Sequence, residues 1–433
     1  MLDVKFIRDN PELVEEGIAK KGADPKLVNS FLRLDEEWRI KVAAIDQLRS
    51  EHNLNIAELA KHRTDDLISR AEILKKQLAG LEEEKKEIEQ RRQAKLNLIP
   101  NLPLEDVPAG KDESENQVIK EVGEKPKLDF EPRDYFSLTE DLGIIDIRRA
   151  AKVSGSRFGY LLGTAALLEL ALISFALKRL LDESFISKII KKNNFKLSAK
   201  PFVLVIPPVL INRKSMWGMG YLDRGAEEIY HLEKDDLYLV GTSEQSIGPM
   251  HQDEIFEEKD LPKRYLGFST CFRREAGSYG KDTKGILRVH QFDKLEMFSF
   301  TAPENSSEEH KLFLAIEEAL MRELEIPYRV MRICAGDLGA PAAAKFDIET
   351  WFPAQNQYRE THSTSNCTDF QARRLNIKYE LKAKNSKLKA DYVHTVNGTV
   401  FSQRPIIAII ENYQTKEGAI NIPKVLRPFL VDA

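Results

Sequence analysis

The sequence predicts an α+β protein: an antiparallel sheet flanked by helices, preceded by a long antiparallel α-helical coiled-coil arm. Three observations predict it. Residues 28–98 contain no proline and a single glycine, Gly80, and their apolar residues recur at three- and four-residue steps. From about residue 128, short apolar strand patterns follow one another through hairpins and long excursions, which suits an antiparallel sheet. The stretch from Cys271 to Met297 reads as two strands joined by a charged loop, with charges inside both strands where a structural hairpin would hold apolar residues.

A short helix opens the chain, with Pro11 near its start and Asn10 as its cap. The arm follows over about 28–98. Phe31, Leu34, Trp38, Ile45 and Leu48 mark one seam, and Leu74, Leu78, Leu81 and Ile88 the other. Lys41, His52 and Lys85 interrupt it. Thr64, followed by Asp65 and Asp66, signals a helix start, so two helices of roughly 35 residues and about 50 Å fold back on each other. Residues 1–105 form the N-terminal domain on this reading and 106–433 the second, with a charged linker through about Lys127. An apolar helix begins near Thr164. Phe202–Leu210 reads as a buried strand ended by Pro207 and Pro208, and Leu237–Glu244, Tyr265–Arg273, Phe292–Phe300 and Tyr392–Thr399 as further strands. Helices are expected near Glu308–Leu324 and Ile406–Tyr413.

Composition narrows the function classes. The chain has 433 residues, 42% of them hydrophobic and 31% charged, with a net charge of -4. Any RNA affinity must therefore come from a local basic patch. The three cysteines are widely spaced and form no CxxC or Cys/His cluster, so no zinc site and no disulfide framework is expected. The charged N-terminus is no secretory signal, and no apolar run approaches the ~20 residues of a membrane span. A soluble cytoplasmic protein is the expectation. Neither a P-loop nor a Rossmann glycine pattern is present, so a nucleotide site has to rely on arginines.

Strand alternation puts Arg273 and Glu275 on one face, Phe292, Glu296 and Phe298 on another, and Tyr238, Val240, Thr242 and Glu244 on a third. Asn397 and Thr399 also share a face. A guanidinium, carboxylates and a flat ring aimed at one surface suit a nucleotide and a small polar substrate. Each charge taken alone reads as solvated surface. The order of residue types around Cys271–Met297, however, is similar to motif 2 of class II aminoacyl-tRNA synthetases, in its seryl form. The whole chain resembles the seryl-tRNA synthetases block by block: the opening Met1–Val14, Lys152-Val-Ser-Gly-Ser-Arg-Phe158, Asp337-Leu-Gly-Ala-Pro-Ala342, and Ser363–Arg374. Asn397–Gln414 resembles motif 3, and the helix before Leu181 with the strand reaching Pro208 corresponds to motif 1.

The resemblance implies the class II antiparallel sheet and a tRNA-binding arm. It implies ATP-dependent attachment of L-serine to tRNA(Ser) through a seryl-adenylate, with tRNA(Sec) commonly a second substrate in the family. Arg273 and Arg404 are the implied catalytic residues. The ATP contacts it implies are Arg273, Arg274, Glu275, Phe292, Glu360, Thr361, His362, Ser363 and Arg404, with Glu360 and Ser363 holding Mg2+ alongside ATP. Serine binding falls to Thr242, Ser243, Glu244, Arg273, Glu296, Asn397 and Thr399. A homodimer is implied through motif 1. Physics agrees in outline: a fixed guanidinium stabilises charge building on phosphate oxygens, and hard oxygens suit Mg2+. Glu360 and Ser363 share a face only if the strand bulges between them, and His362 is read as packed or hydrogen-bonded rather than a ligand. The segment Val400–Gln403 is one residue shorter than the family pattern. That departure keeps a catalytically silent RNA-binding relative as an alternative, and activation of an amino acid for a carrier protein is another. Arm cations such as Arg63, Arg70, Lys85 and Arg92 are the candidates for RNA contact, since duplex RNA is read by shape and phosphate.

Overall fold

The computed structural model describes residues 1–277, 285–381 and 389–430. The chain divides into two compact units, Met1–Pro100 and Asn101–Ala433. The sequence placed that boundary at 105. Residues 101–105 go with the second unit, where the Asn101 amide donates to the carbonyls of Pro341 and Cys367, at 2.9 and 2.8 Å.

In the first unit, α1 (Val4–Asp9) is capped by Asp3, and α2 (Pro11–Lys20) opens on Pro11. Asn10 makes no cap bond with its side chain. Its amide donates back to the Phe6 carbonyl at 3.2 Å. Helices α3 (Lys26–Leu59) and α4 (Asp65–Leu98) have 34 residues each. Thr64 caps α4 by accepting the Leu67 N–H. Phe31, Leu34, Ile45, Leu74 and Leu96 are buried along the hairpin. The polar interruptions become cross-helix contacts. Lys41 pairs with Glu84 at 2.5 Å, Arg49 with Glu82 at 2.7 Å, and the Asn55 amide reaches the Leu67 carbonyl at 2.9 Å. These bonds hold the register where apolar residues are missing.

The second unit is built on an eight-stranded sheet. Its strands are β1 (Gln117–Val122), β2 (Val203–Val205), β3 (Lys263–Phe272), β4 (Gln291–Thr301), β5 (Tyr328–Arg332), β6 (Ala344–Phe352), β7 (Gln357–Thr368) and β8 (His394–Phe401). The spatial order is β1-β5-β6-β7-β8-β4-β3-β2. Every pair is antiparallel except β2–β3. Five helices bear on the site: α5 (Tyr135–Leu142), α6 (Thr164–Leu180), α7 (Glu244–Ile247), α8 (Ser306–Glu323) and α9 (Arg404–Asn412). The main core joins Leu168, Leu172 and Phe175 of α6 to Leu312, Phe313 and Ile316 of α8, together with Leu295, Met297, Val396 and Val400 of the sheet. Ile406–Ile410 of α9 are all buried in it.

Three expectations change. The charged linker contains β1, whose pairing with β5 makes it a sheet edge. Its burial pattern is almost wholly exposed, so no apolar alternation marked it in the sequence. The stretch Phe202–Leu210 is not one buried strand: Val203–Val205 form a short strand, a second strand starts only at Leu210, and Val203 and Ile206 are 58% and 78% exposed. The strand expected over 237–244 ends at Leu239, and Glu244 begins α7.

Candidate active site

One face of the sheet carries the site, and register explains which residues reach it. Lys345, Ser365, Asn397, Phe298 and Tyr265 are aligned partners across five strands. Two residues along each strand, the same face presents Asp347, Ser363, Thr399, Glu296 and Gly267. Gly267 is bare because the loop before α7 lies on it. A Cβ there would stand 2.5 Å from both Ser243 Oγ and Ile247 Cδ1. That approach brings Glu244 to the same pocket as Glu296.

The pocket that these residues line is buried. Thr242, Glu244, Glu296 and Thr399 are all nearly inaccessible. Lys294 Nζ lies 2.5 Å from Glu296 and donates to Thr242 Oγ1 at 3.3 Å. The Tyr221 hydroxyl donates to Glu244. Burial and the neighbouring Glu296 push the Glu244 carboxyl up to about 7, against the pull of Tyr221, Lys294 and Arg273. Burial also raises Glu296, opposed by Lys294, Arg273 and a bond from Thr399. Two buried carboxylates thus share Lys294 and Arg273. Ser243 is spent elsewhere: its hydroxyl is fully buried and donates to the Gly267 carbonyl.

The strand β3 stops at Phe272, so Arg273 and Glu275 stand just beyond it rather than on its face. Glu275 takes a positive φ of 51°. Arg273 Nε donates to the Gly241 carbonyl at 3.2 Å, and its guanidinium stands 5.2 Å from the centre of the Phe292 ring. Arg274 is exposed and lies over Tyr230. Much of the charged loop beyond Ala276 lies outside the described residues.

The bulge between Glu360 and Ser363 is there. Ile348 and Glu349, adjacent on β6, pair with His362 and Glu360, leaving Thr361 as the extra residue. Glu360 and Ser363 therefore share the site face. Thr361 and His362 turn inward instead. Thr361 bonds Thr350 and the His362 Nδ1, and the fully buried His362 ring packs edge-on against Phe401. Burial lowers His362 to about 4, so it is neutral. Neither side chain faces the site, so any part these two residues take there is through the backbone. Arg404 Nη1 reaches Glu360 Oε1 and its carbonyl, both at 3.1 Å. Burial works against ionisation of Glu360, but Arg404, Lys345, Arg273 and Arg288 hold it down to about 2. The short Val400–Gln403 segment costs nothing here: β8 runs to Phe401, Gln403 precedes α9, and Arg404 is its first residue.

Sequence reasoning missed Lys294, Tyr221, Arg288, Lys345 and Asp347. Lys294 was findable, since alternation puts it between Phe292 and Glu296. Arg288 was not, because no strand pattern covers it; its guanidinium stands 3.8 Å from Glu275.

Comparison with known proteins now bears on this arrangement. Residues 1–103 match the seryl-tRNA synthetase N-terminal domain, and 229–413 match the class II tRNA synthetase core domain (G, H, P, S and T). The serine--tRNA ligase of Corynebacterium kroppenstedtii is 42% identical over 99% of this chain and 98% of its own. That of Acidothermus cellulolyticus is 44% identical with the same coverage. The chain belongs to the seryl-tRNA synthetase family. Among solved structures, the seryl-tRNA synthetase of Pyrococcus horikoshii complexed with ATP superposes with a TM-score of 0.88 at 42% identity, covering 99% of this chain and 98% of that one. The cytoplasmic serine-tRNA ligase of Naegleria fowleri in complex with AMP gives 0.84 at 34% identity, covering 99% and 97%. This synthetase is a ligase that attaches serine to tRNA at the expense of ATP. Among the described residues, none of its helices is long and apolar enough to cross a membrane.

Proposed function

We propose that the buried pair Glu244 and Glu296, with Thr242 and Thr399, binds serine, while Arg273, Arg404, Glu275 and Phe292 bind ATP beside it. The observation that carries this is the charge balance. At the inner end, two carboxylates are short of cations, which suits an incoming α-ammonium. At the outer end, Glu360 is surrounded by arginines, which suits phosphates.

The chemistry follows from that layout. The serine carboxylate attacks the α-phosphorus of ATP, the bond to the bridging oxygen breaks, and pyrophosphate leaves. Arg273, fixed on the Gly241 carbonyl, neutralises charge building on the α-phosphate oxygens. Arg404, at the start of a buried helix, faces the terminal phosphates. The terminal ribose hydroxyl of tRNA then attacks the seryl carbonyl and AMP departs. Glu244 and Glu296 hold the ammonium and hydroxyl of serine. Because the pocket's polar groups are buried, alanine would leave them unpaired and is rejected. Glu360 and Ser363 are two hard oxygen donors brought to one face by the bulge, and they would hold Mg2+ carried in with ATP. When bound, Mg2+ supplies charge neutralisation on the phosphates.

Further parts of the reading concern partners. The arm binds tRNA(Ser), with tRNA(Sec) as a second substrate where it exists. The cytoplasm is its place of work, supported by three free, buried cysteines. A homodimer forms through β2, supported by the exposed apolar Val203, Leu204 and Ile206 on this sheet edge. The test of the site is pyrophosphate exchange with serine, alanine, glycine and threonine, followed by charging of tRNA(Ser). Exchange confined to serine, with charging, is expected. No exchange with serine would sink the assignment of these residues, and exchange without charging would point to a carrier-protein acceptor.

A further inference from the structure

Tyr135 opens α5, far in sequence from every residue assigned to the site, and its side chain is buried. Its hydroxyl oxygen accepts the backbone N–H of Ile286 at 2.9 Å. Gly285 must be glycine beside it: its φ is +80°, and a Cβ would stand 1.7 Å from the Tyr135 oxygen. The backbone N–H of Tyr135 donates to Glu411 Oε1 at 3.2 Å. Glu411 lies on α9, the helix that begins with Arg404, and its other oxygen accepts the Ala354 N–H at 3.1 Å.

Ile286, Leu287 and Val289 are buried in the main core. The Ile286 N–H therefore has no water to turn to and needs a protein acceptor. At the far end of the same segment, the His290 N–H donates to the Arg157 carbonyl at 3.0 Å and its Nδ1 bonds the Arg273 carbonyl at 2.9 Å. Arg288 lies midway between these two anchors, facing Glu275. One anchor is held by the strand end that carries Arg273, the other by Tyr135.

We propose that Tyr135 is a positioning residue for ATP, whose phenol sets where residues 286–290 run and hence where the Arg288 guanidinium stands. The inference rests on the reading that Arg273, Glu275 and Arg404 bind ATP, and it adds Arg288, which faces Glu275, to that set. It ties the return segment of motif 2 to the motif 3 helix through one residue outside both motifs, its hydroxyl holding Ile286 and its backbone N–H holding Glu411.

The test is Tyr135→Phe, which keeps the ring and removes the acceptor, assayed by serine-dependent pyrophosphate exchange. Loss of one hydrogen bond of ordinary strength predicts a rise in KM for ATP of about 2- to 10-fold, with KM for serine unmoved. In an Arg288→Gln background the same substitution should raise KM for ATP no further. A merely structural role would lower the active fraction, and so kcat, while leaving KM for ATP alone; that result overturns the inference, as does full additivity with Arg288→Gln. Arg404→Ala separates the two levels. If it leaves exchange intact, the ATP site itself is misplaced; if it abolishes exchange while Tyr135→Phe behaves as wild type, only the role of Tyr135 falls.

Discussion

The arm and the catalytic sheet both bury carboxylates, and they treat them in opposite ways. In the arm, Asp35 is almost inaccessible and meets Arg8 at 2.6 Å, Arg92 at 2.7 Å and Arg39 at 3.4 Å. Burial would raise it, but the bonds from Arg8 and Arg92 win and hold it below the usual aspartate range. Arg92 in turn lies over Phe31 and Trp38. In the sheet, Glu244, Glu296 and Asp347 are all pushed up by burial, because the cations nearby do not offset it. The difference separates a structural charge from a binding one. Asp35 has its cations built in, whereas the proposed serine pocket has buried carboxylates that its own cations do not offset. Arg92, an RNA candidate on sequence grounds, is thereby committed to the root of the arm.

The comparison can be broken at either end. The largest effect is expected from deleting residues 28–98: charging of tRNA(Ser) is lost while serine-dependent pyrophosphate exchange survives. Equal loss of both would mean that the arm serves the sheet rather than RNA. Arg404→Ala should lower exchange by about 100- to 1,000-fold, the scale for removing one fixed donor from a developing charge. An unchanged kcat/KM would show that Glu360, not phosphate, is the partner of Arg404.

Asp35→Asn should destabilise the arm by about 2–3 kcal/mol, somewhat less than for a fully buried pair because Arg8 is part-exposed. Thermal unfolding followed by circular dichroism measures it, and exchange activity should persist. Glu296→Gln should raise KM for serine by about 10- to 100-fold through loss of a charge-assisted bond, with KM for ATP unmoved. It should also lower the pKa of Glu244, since a like charge is removed; a pH profile of kcat/KM for serine that does not shift would argue against the coupling.

The smallest effect concerns pH. Burial raises Glu411 from 4.5 to about 7, against the N–H groups of Tyr135 and Ala354. The native state then holds a proton that the unfolded chain releases between those values. Its contribution is fully present below 4.5 and is lost as pH rises to about 7, with a slope of up to about 1 kcal/mol per pH unit. Glu411→Gln should flatten that slope in denaturant titrations at pH 5 and 7.5, and an unaltered slope would assign the proton elsewhere.

Much of this was legible in the chain. The arm was, because helix periodicity and the Thr64 cap are local signals. The need for a bulge between Glu360 and Ser363 was, because strand alternation is strict. β1 was not, since a solvent-exposed edge strand carries no apolar pattern. Nor were the ends of the strands before Thr242 and Arg273, which stop at Leu239 and Phe272 without any break in the residue pattern. Ser243 and Thr361 share motifs with residues that face the site, yet they turn inward, and neighbours in sequence do not reveal that; the packed, hydrogen-bonded character of His362 was legible.

The sequence by itself determined the family, the two-part organisation and which residue types reach the site, because motif order, periodicity and caps are properties of the chain alone. Tertiary structure decided which charges are satisfied. Whether a buried carboxylate ends with three arginines or shares a lysine depends on strand register and on helices brought from distant segments. That count of neighbours makes Asp35 part of the scaffold and leaves Glu244 and Glu296 short of a cation.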